Sequence, residues 1–252
     1  TTIVEKYIVV LILLVLPAIT SLYAQVTINK PAIGFTQVCA NSDFNTFEIS
    51  FSFSGTLDPS NQFILELSDA TGSFTAPVTL SASEKTSAAT PTSRTLIFSV
   101  PTNIGGENYM VRVKSTSPAS VSPVSNAFAA YYKIQDSQFS INNFNSTATY
   151  CTGGSYLLTI DNPGTGTNDS PLKYPSLTYK WFKEPSVVPV ATTASLTVNQ
   201  PGRYYVETNY GTCTSDSYSN RVTVAESSGS TATITSSKGN PFCSVDGPTT
   251  LS

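Results

Sequence analysis

The chain has no histidine, one methionine, one tryptophan and four cysteines in 252 residues. Charged residues make up 12% of it, about half the usual share. Each shortage excludes something. Without histidine there is no Ser-His-Asp or Cys-His catalysis and no histidine-ligated metal. No two cysteines form a CxxC pair, so a thiolate metal site has no basis in the spacing. The 13 Lys and Arg are scattered and the net charge is −3, which supplies no basic patch for nucleic acid. A coiled coil needs charge and heptads, and both are missing.

What is present is 40% apolar residues, enough for a packed core, and about 28% Ser plus Thr, far above average usage. The length allows one or two domains of ordinary size. Residues 1–24 read as a secretory signal peptide. Lys6 gives a positive start, Tyr7 to Leu16 an apolar stretch, Pro17 a break, and Ala24 a small residue before cleavage. The apolar stretch is shorter than the roughly 20 residues of a membrane span. No cysteine follows the cleavage point to take a lipid. The chain lacks an initiator Met, and its natural parent is expected to extend further.

Export implies an oxidising compartment in which cysteines pair. Cys39, Cys151, Cys213 and Cys243 allow three pairings. Val38-Cys39-Ala40, Tyr150-Cys151-Thr152 and Phe242-Cys243-Ser244 each set an apolar residue, a cysteine and small or polar residues ahead of a strand-like run. Their spacing of 112 and 92 residues reads as a domain-opening motif repeated in tandem.

No stretch beyond residue 24 keeps a helical period. Phe47, Ile49, Phe51 and Phe53 alternate with polar residues, the pattern of a half-buried strand. Phe63–Leu67, Thr95–Val100 and Tyr109–Val113 follow, separated by Asp58-Pro59, Ala70-Thr71-Gly72 and Gly105-Gly106. Strands at this spacing predict an antiparallel β-sandwich over 25–132. A second sandwich is expected over 133–226, with strands at Tyr156–Ile160, Leu177–Phe182, Gly202–Val206 and Asn220–Val224. Residues 227–252 read as a linker and the start of a third domain. In the second segment Trp181 lies between Cys151 and Cys213, an immunoglobulin-like order. Tyr204 is placed for the corner hydrogen bond, yet Val206 stands where that pattern expects a cysteine. A Cys151–Cys213 disulfide is the expected pairing. It would close a loop of about 62 residues, worth on the order of 4 kcal/mol in the chain-entropy model. Cys39 and Cys243 are left without an evident mate. Trp181, Tyr204 and Tyr109 are expected in the core.

Tyr109-Met110-Val111-Arg112-Val113-Lys114-Ser115-Thr116-Ser117-Pro118 resembles a strand of the immunoglobulin-like (or fibronectin III-like) domains that recur in very large surface proteins of the Bacteroidota. Phe63–Phe74 is similar to an earlier strand pair of those domains. The run from Cys151 through Gly202–Val206 to Cys213 and Asn220 is similar to an adjoining domain type. The resemblance implies an all-β fold of tandem sandwiches and a non-enzymatic stalk or adhesive segment at the cell surface. It also implies export by the type IX machinery and kinship with gliding-motility adhesins. The implied partners are other surface proteins or glycans, and outer-membrane secretion components during export.

Few residues suggest chemistry. Asp161-Asn162-Pro163-Gly164 with Asp169 is an oxygen-rich loop, read as a turn rather than a calcium site. Alternation leaves Tyr132 and Tyr205 as outward aromatics, the residues of choice for a ligand surface. No catalytic residue, cofactor or metal ligand is expected. Two other readings are a carbohydrate-binding module of a secreted glycan-degrading enzyme and a scaffold part of an outer-membrane complex.

Overall fold

A computed structural model describes residues 25–85, 92–163 and 169–228. The expected signal peptide, Cys243 and the expected third domain lie outside the described residues. The chain is all-β and forms two compact units. Unit 1 holds the residues up to Asp136 together with Tyr210–Ser215. Unit 2 holds Ser137–Asn209 and the residues from Asp216 onward. The segment Tyr210–Ser215, expected in the second domain, therefore belongs to unit 1. It is tied there because Tyr210 Oη donates to the carbonyl of Gln135 at 2.8 Å and Lys133 Nζ donates to the carbonyl of Thr214 at 3.2 Å.

Unit 1 is an immunoglobulin-like sandwich. One layer contains β1 (Thr27–Ile28), β2 (Ala32–Ile33), β4 (Phe47–Ser54), β7 (Ala82–Glu84) and β8 (Ser93–Phe98), ordered β1-β4-β8-β7 with β2 also on β4. The other layer is built from β5 (Phe63–Leu67), β6 (Val78–Thr79), β9 (Gly105–Tyr109), β10 (Val111–Thr116), β11 (Ala119–Val121), β12 (Phe128–Tyr132) and β3 (Gln37–Ala40). Its ladders run β11-β10-β5-β6 and β3-β12-β9. Only Met110 separates β9 from β10. With β4, β8 and β7 as strands B, E and D, and β5, β9/β10 and β12 as C, F and G, the order is that of the immunoglobulin fold.

The alternation in β4 points Ile49, Phe51 and Phe53 into the core, where each is buried. Phe35 lies edge-on to Phe47 and Phe128 at centroid distances of 6.0 and 5.3 Å, and Phe51 packs on Phe63 at 4.9 Å. Burying the rings that are fully enclosed, Phe51 and Phe128, contributes about 1.5–3 kcal/mol each. On the outer side of β5, Glu66 is 6% exposed. It is held by Arg112 at 2.7 Å and Lys114 at 3.1 Å, and Arg112 lies over the Phe74 ring at 4.5 Å.

The high serine content has a structural use. Where the last strand approaches strand F, hydroxyls replace missing ladder acceptors. Ser125 Oγ accepts from Val111 N at 3.0 Å and Ser122 Oγ from Val113 N at 2.9 Å. Each then donates to a carbonyl one residue on, that of Asn126 and Pro123 respectively. A buried N–H left unpaired would cost about 1–3 kcal/mol, so these buried serines complete the sheet.

Unit 2 repeats the plan. The ladder β13 (Thr147–Cys151), β18 (Val222–Ser227), β17 (Gly202–Thr208), β15 (Tyr179–Glu184) faces the pair β14 (Tyr156–Thr159) and β16 (Ser195–Val198) across a shared core. Here Ser219 Oγ accepts from Val206 N at 3.0 Å and donates to the carbonyl of Asn220 at 2.8 Å, the same device as in unit 1. Asn142, Asn143 and Phe144 all have positive φ, at 58°, 51° and 62°. Left-handed backbone at non-glycine residues is costly. The Asp161 carboxylate holds this turn, accepting from Asn143 N at 2.8 Å and Phe144 N at 3.2 Å.

Candidate functional site

Two features stand out: the cystine of unit 1 and the outward face of the four-stranded sheet of unit 2.

The cystine joins Cys39 and Cys213, with a Cα–Cα distance of 5.6 Å and a sequence separation of 174. This corrects the expected Cys151–Cys213 pairing. Cys151 is exposed and unbridged at the end of β13. Cys213 lies in the segment that unit 2 gives up to unit 1. Cys39 lies on β3, in register with Tyr131 of β12. The signal was in the sequence: Val206, two residues after Tyr204, occupies the usual cysteine position and is fully buried. Cys213 thus falls past strand F, out of reach of that strand's inter-sheet partner. Gly211 makes the approach possible. Its φ is +56°, and a Cβ there would run into Glu107 Oε1 and Tyr131 Oη. Those two atoms are hydrogen bonded to each other at 2.6 Å, the tyrosine donating. Burial, with a further push from this bond, raises the Tyr131 phenol well above the usual tyrosine range.

The face of unit 2 is set by register. Trp181 pairs with Val206 and Tyr179 with Thr208 on the inner side, while Phe182 pairs with Tyr205 and Glu184 with Arg203 on the outer side. Trp181 is 0% exposed, and its Nε1 donates to the carbonyl of Thr193 at 2.8 Å. Tyr204 is 4% exposed, and its Oη donates to the carbonyl of Gln200 at 2.8 Å. In unit 1, Tyr109 is buried opposite Phe128.

On the outer side, Tyr205 stacks on Phe182 at 5.0 Å and 18°, and the Arg221 guanidinium lies 4.4 Å from its ring centroid. Phe182 comes from β15 on one side of β17, and Arg221 directly precedes β18 on the other. Arg221 also reaches Tyr218 at 5.4 Å. Glu184 joins the row, with Oε1 3.2 Å from Arg221 and Oε2 3.2 Å from Arg203. Burial first, then Glu207, raises the Tyr205 phenol. The ring that sequence alternation offers as a flat platform is therefore flanked by Phe182 and Arg221. What the row presents outward is a mixed aromatic and charged surface suited to protein recognition. Tyr132 is half-buried and packs against the core of unit 1. The structure does not bring Tyr132 and Tyr205 into one unit.

The carboxylates of the oxygen-rich loop are engaged, Asp161 by the two backbone N–H groups and Asp169 by Lys173 at 2.7 Å and Tyr174 at 2.8 Å. The Lys173 bond, then the Tyr174 bond working against burial, hold Asp169 below the usual aspartate range. Among the described residues, no group of three or more His, Cys, Asp or Glu could hold a metal ion. No helix of the described residues is long and apolar enough to cross a membrane.

No family model matches the chain, and no curated protein is similar to it. Among solved structures it is similar to the N-terminal four Ig domains of Dscam1 isoform 4.44, with 12% identity over 81% of this chain and 47% of that one, TM-score 0.38. It is also similar to the N-terminal eight Ig domains of Down Syndrome Cell Adhesion Molecule isoform 1.30.30, with 12% identity over 79% of this chain and 22% of that one, TM-score 0.36. The chain thus spans less than half of either.

Proposed function

We propose that the chain is a non-enzymatic spacer and adhesive segment of a secreted protein displayed at the cell surface. The single observation that carries this reading is the Cys39–Cys213 cystine, because such bonds persist in oxidising compartments outside the cytosol. The signal-like residues 1–24 support the same address. Two sandwiches that expose mixed polar and aromatic surface suit spacing and protein contact. The partners on this reading are other surface proteins, met by the row of Tyr205, Arg221 and Glu184, with the buried Phe182 supporting Tyr205 from below. The resemblance of Tyr109–Pro118 to Bacteroidota surface domains points to a gliding-motility-type adhesin exported by the type IX route.

The test is protease shaving of intact source cells, with mass spectrometry of the released peptides. Peptides from residues 25–226 are expected in the shaved fraction before the outer membrane is broken. Their release only after the membrane is broken would overturn the reading and favour a periplasmic scaffold.

A further inference from the structure

The position of the cystine has a mechanical consequence. Tension applied to the two ends of the chain runs along the covalent backbone by the shortest bonded route. That route passes from Gln25 to Cys39, crosses the sulfur–sulfur bond, and continues from Cys213 to Ser228. Residues 40–212 form a closed loop beside it. This loop contains β4 to β17, which is most of unit 1 and all of Ser137–Asn209 from unit 2.

We propose that the Cys39–Cys213 bond is a load bypass, which makes the two-unit segment a nearly inextensible tie under axial pull. Among the described residues, only β1, β2, β3 and β18 lie on the loaded route. Drawn out completely, the two loaded stretches supply roughly 100 Å, at about 3.5 Å per residue. The 174 residue steps that the bond removes would supply roughly 600 Å more. In a sandwich without such a bond, strand F and its neighbours unravel into the loaded chain once the sheet yields. Here β9, β10 and β17 cannot lengthen the tie even if the cores melt. The bypass also spans the point where the chain leaves unit 2 at Asn209, so it hides length from both units with one bond. The biological use rests on the surface-spacer reading. The mechanics rest on the connectivity alone.

The experiment is single-molecule pulling of the full chain, tethered at its two ends, in oxidising buffer and in dithiothreitol. The oxidised chain is expected to reach a total contour length roughly 600 Å shorter than the reduced one. Cys39→Ser is expected to match the reduced length in both buffers, and Cys151→Ser to behave as wild type. Contour length counts bonded residues, so the result holds even where a variant folds poorly. Equal lengths in the two buffers would overturn the proposal. So would a hidden length of roughly 220 Å, the value for a Cys151–Cys213 loop of about 62 residues. The spacer reading fails separately, by the shaving result, whatever the pulling shows.

Discussion

Replacing Tyr204 with phenylalanine isolates one hydrogen bond. The ring is 4% exposed and stays in the variant, so no cavity opens. What leaves is the hydroxyl that donates to the Gln200 carbonyl at 2.8 Å. A hydrogen bond of this kind contributes about 0.5–1.5 kcal/mol net. Removing the ring as well, in Tyr204→Ala, adds the transfer and cavity terms and brings the loss to about 3–5 kcal/mol. The assay is built into the molecule. Trp181 is the only tryptophan, and it is packed in the same core as Tyr204, so its fluorescence during urea unfolding reports unit 2. With a slope of about 1–3 kcal/mol/M for a small unit, Tyr204→Phe moves the midpoint down by roughly 0.2–1.5 M. An unchanged midpoint would mean that the hydroxyl contributes nothing to the corner. A loss above about 3 kcal/mol would mean that the ring itself has moved. Either result refutes the reasoning.

Two further perturbations test unit 1. Burial raises the affinity of Glu66 for its proton, but the bonds from Arg112 and Lys114 outweigh it, and its pKa falls below the ordinary value of 4.5. The folded pKa is thus the lower one, so this stabilisation is full above the unfolded value and is lost as pH falls through the folded value. The stability gap between wild type and Glu66→Gln, measured by circular dichroism in urea, should be open at neutral pH and close as pH falls below about 4.5; a gap of constant size would refute the ion-pair account. Gly211→Val places a side chain against Glu107 and Tyr131 on a left-handed backbone that valine resists by about 1–2 kcal/mol. Thiol titration under denaturing, non-reducing conditions should then detect both bridge thiols in a large fraction of chains, whereas wild-type thiol content would show that the segment seats by another path.

The fold was legible wherever local periodicity decides it. Phe47 to Phe53 alternate because one face of β4 lies on the core, and that contrast is written residue by residue. Trp181 and Tyr204 were legible for the same reason, since a large ring at an inward position has few places to go. The strands ran a little past their expected ends, β17 to Thr208 and β18 to Ser227, because ladder bonds extend pairing beyond the apolar pattern. The surroundings of Tyr205 were not legible. Alternation says that a residue points outward, but cross-strand register decides which rings and charges stand beside it.

The cysteines show where local and non-local information part. The two copies of the cysteine motif that lie among the described residues mark equivalent places. Cys39 is on β3, which pairs in parallel with the last strand of unit 1, and Cys151 is on β13, which pairs in parallel with the last strand of unit 2. Position is a property of each sandwich, so similar sequence produces it twice. Pairing is a property of what arrives opposite. In unit 1 that is Cys213, carried in by a segment 174 residues away, and Gly211 and Tyr210 are the residues that let it dock. The serines make the same point from the other side. Ser125-Asn126 and Ser219-Asn220 repeat both in place and in partner, because each hydroxyl bonds a neighbouring strand of its own sheet. A repeat in sequence therefore transmits a partner when the partner belongs to the same unit by chain order. When the partner is delivered from elsewhere in the chain, the repeat transmits only the site.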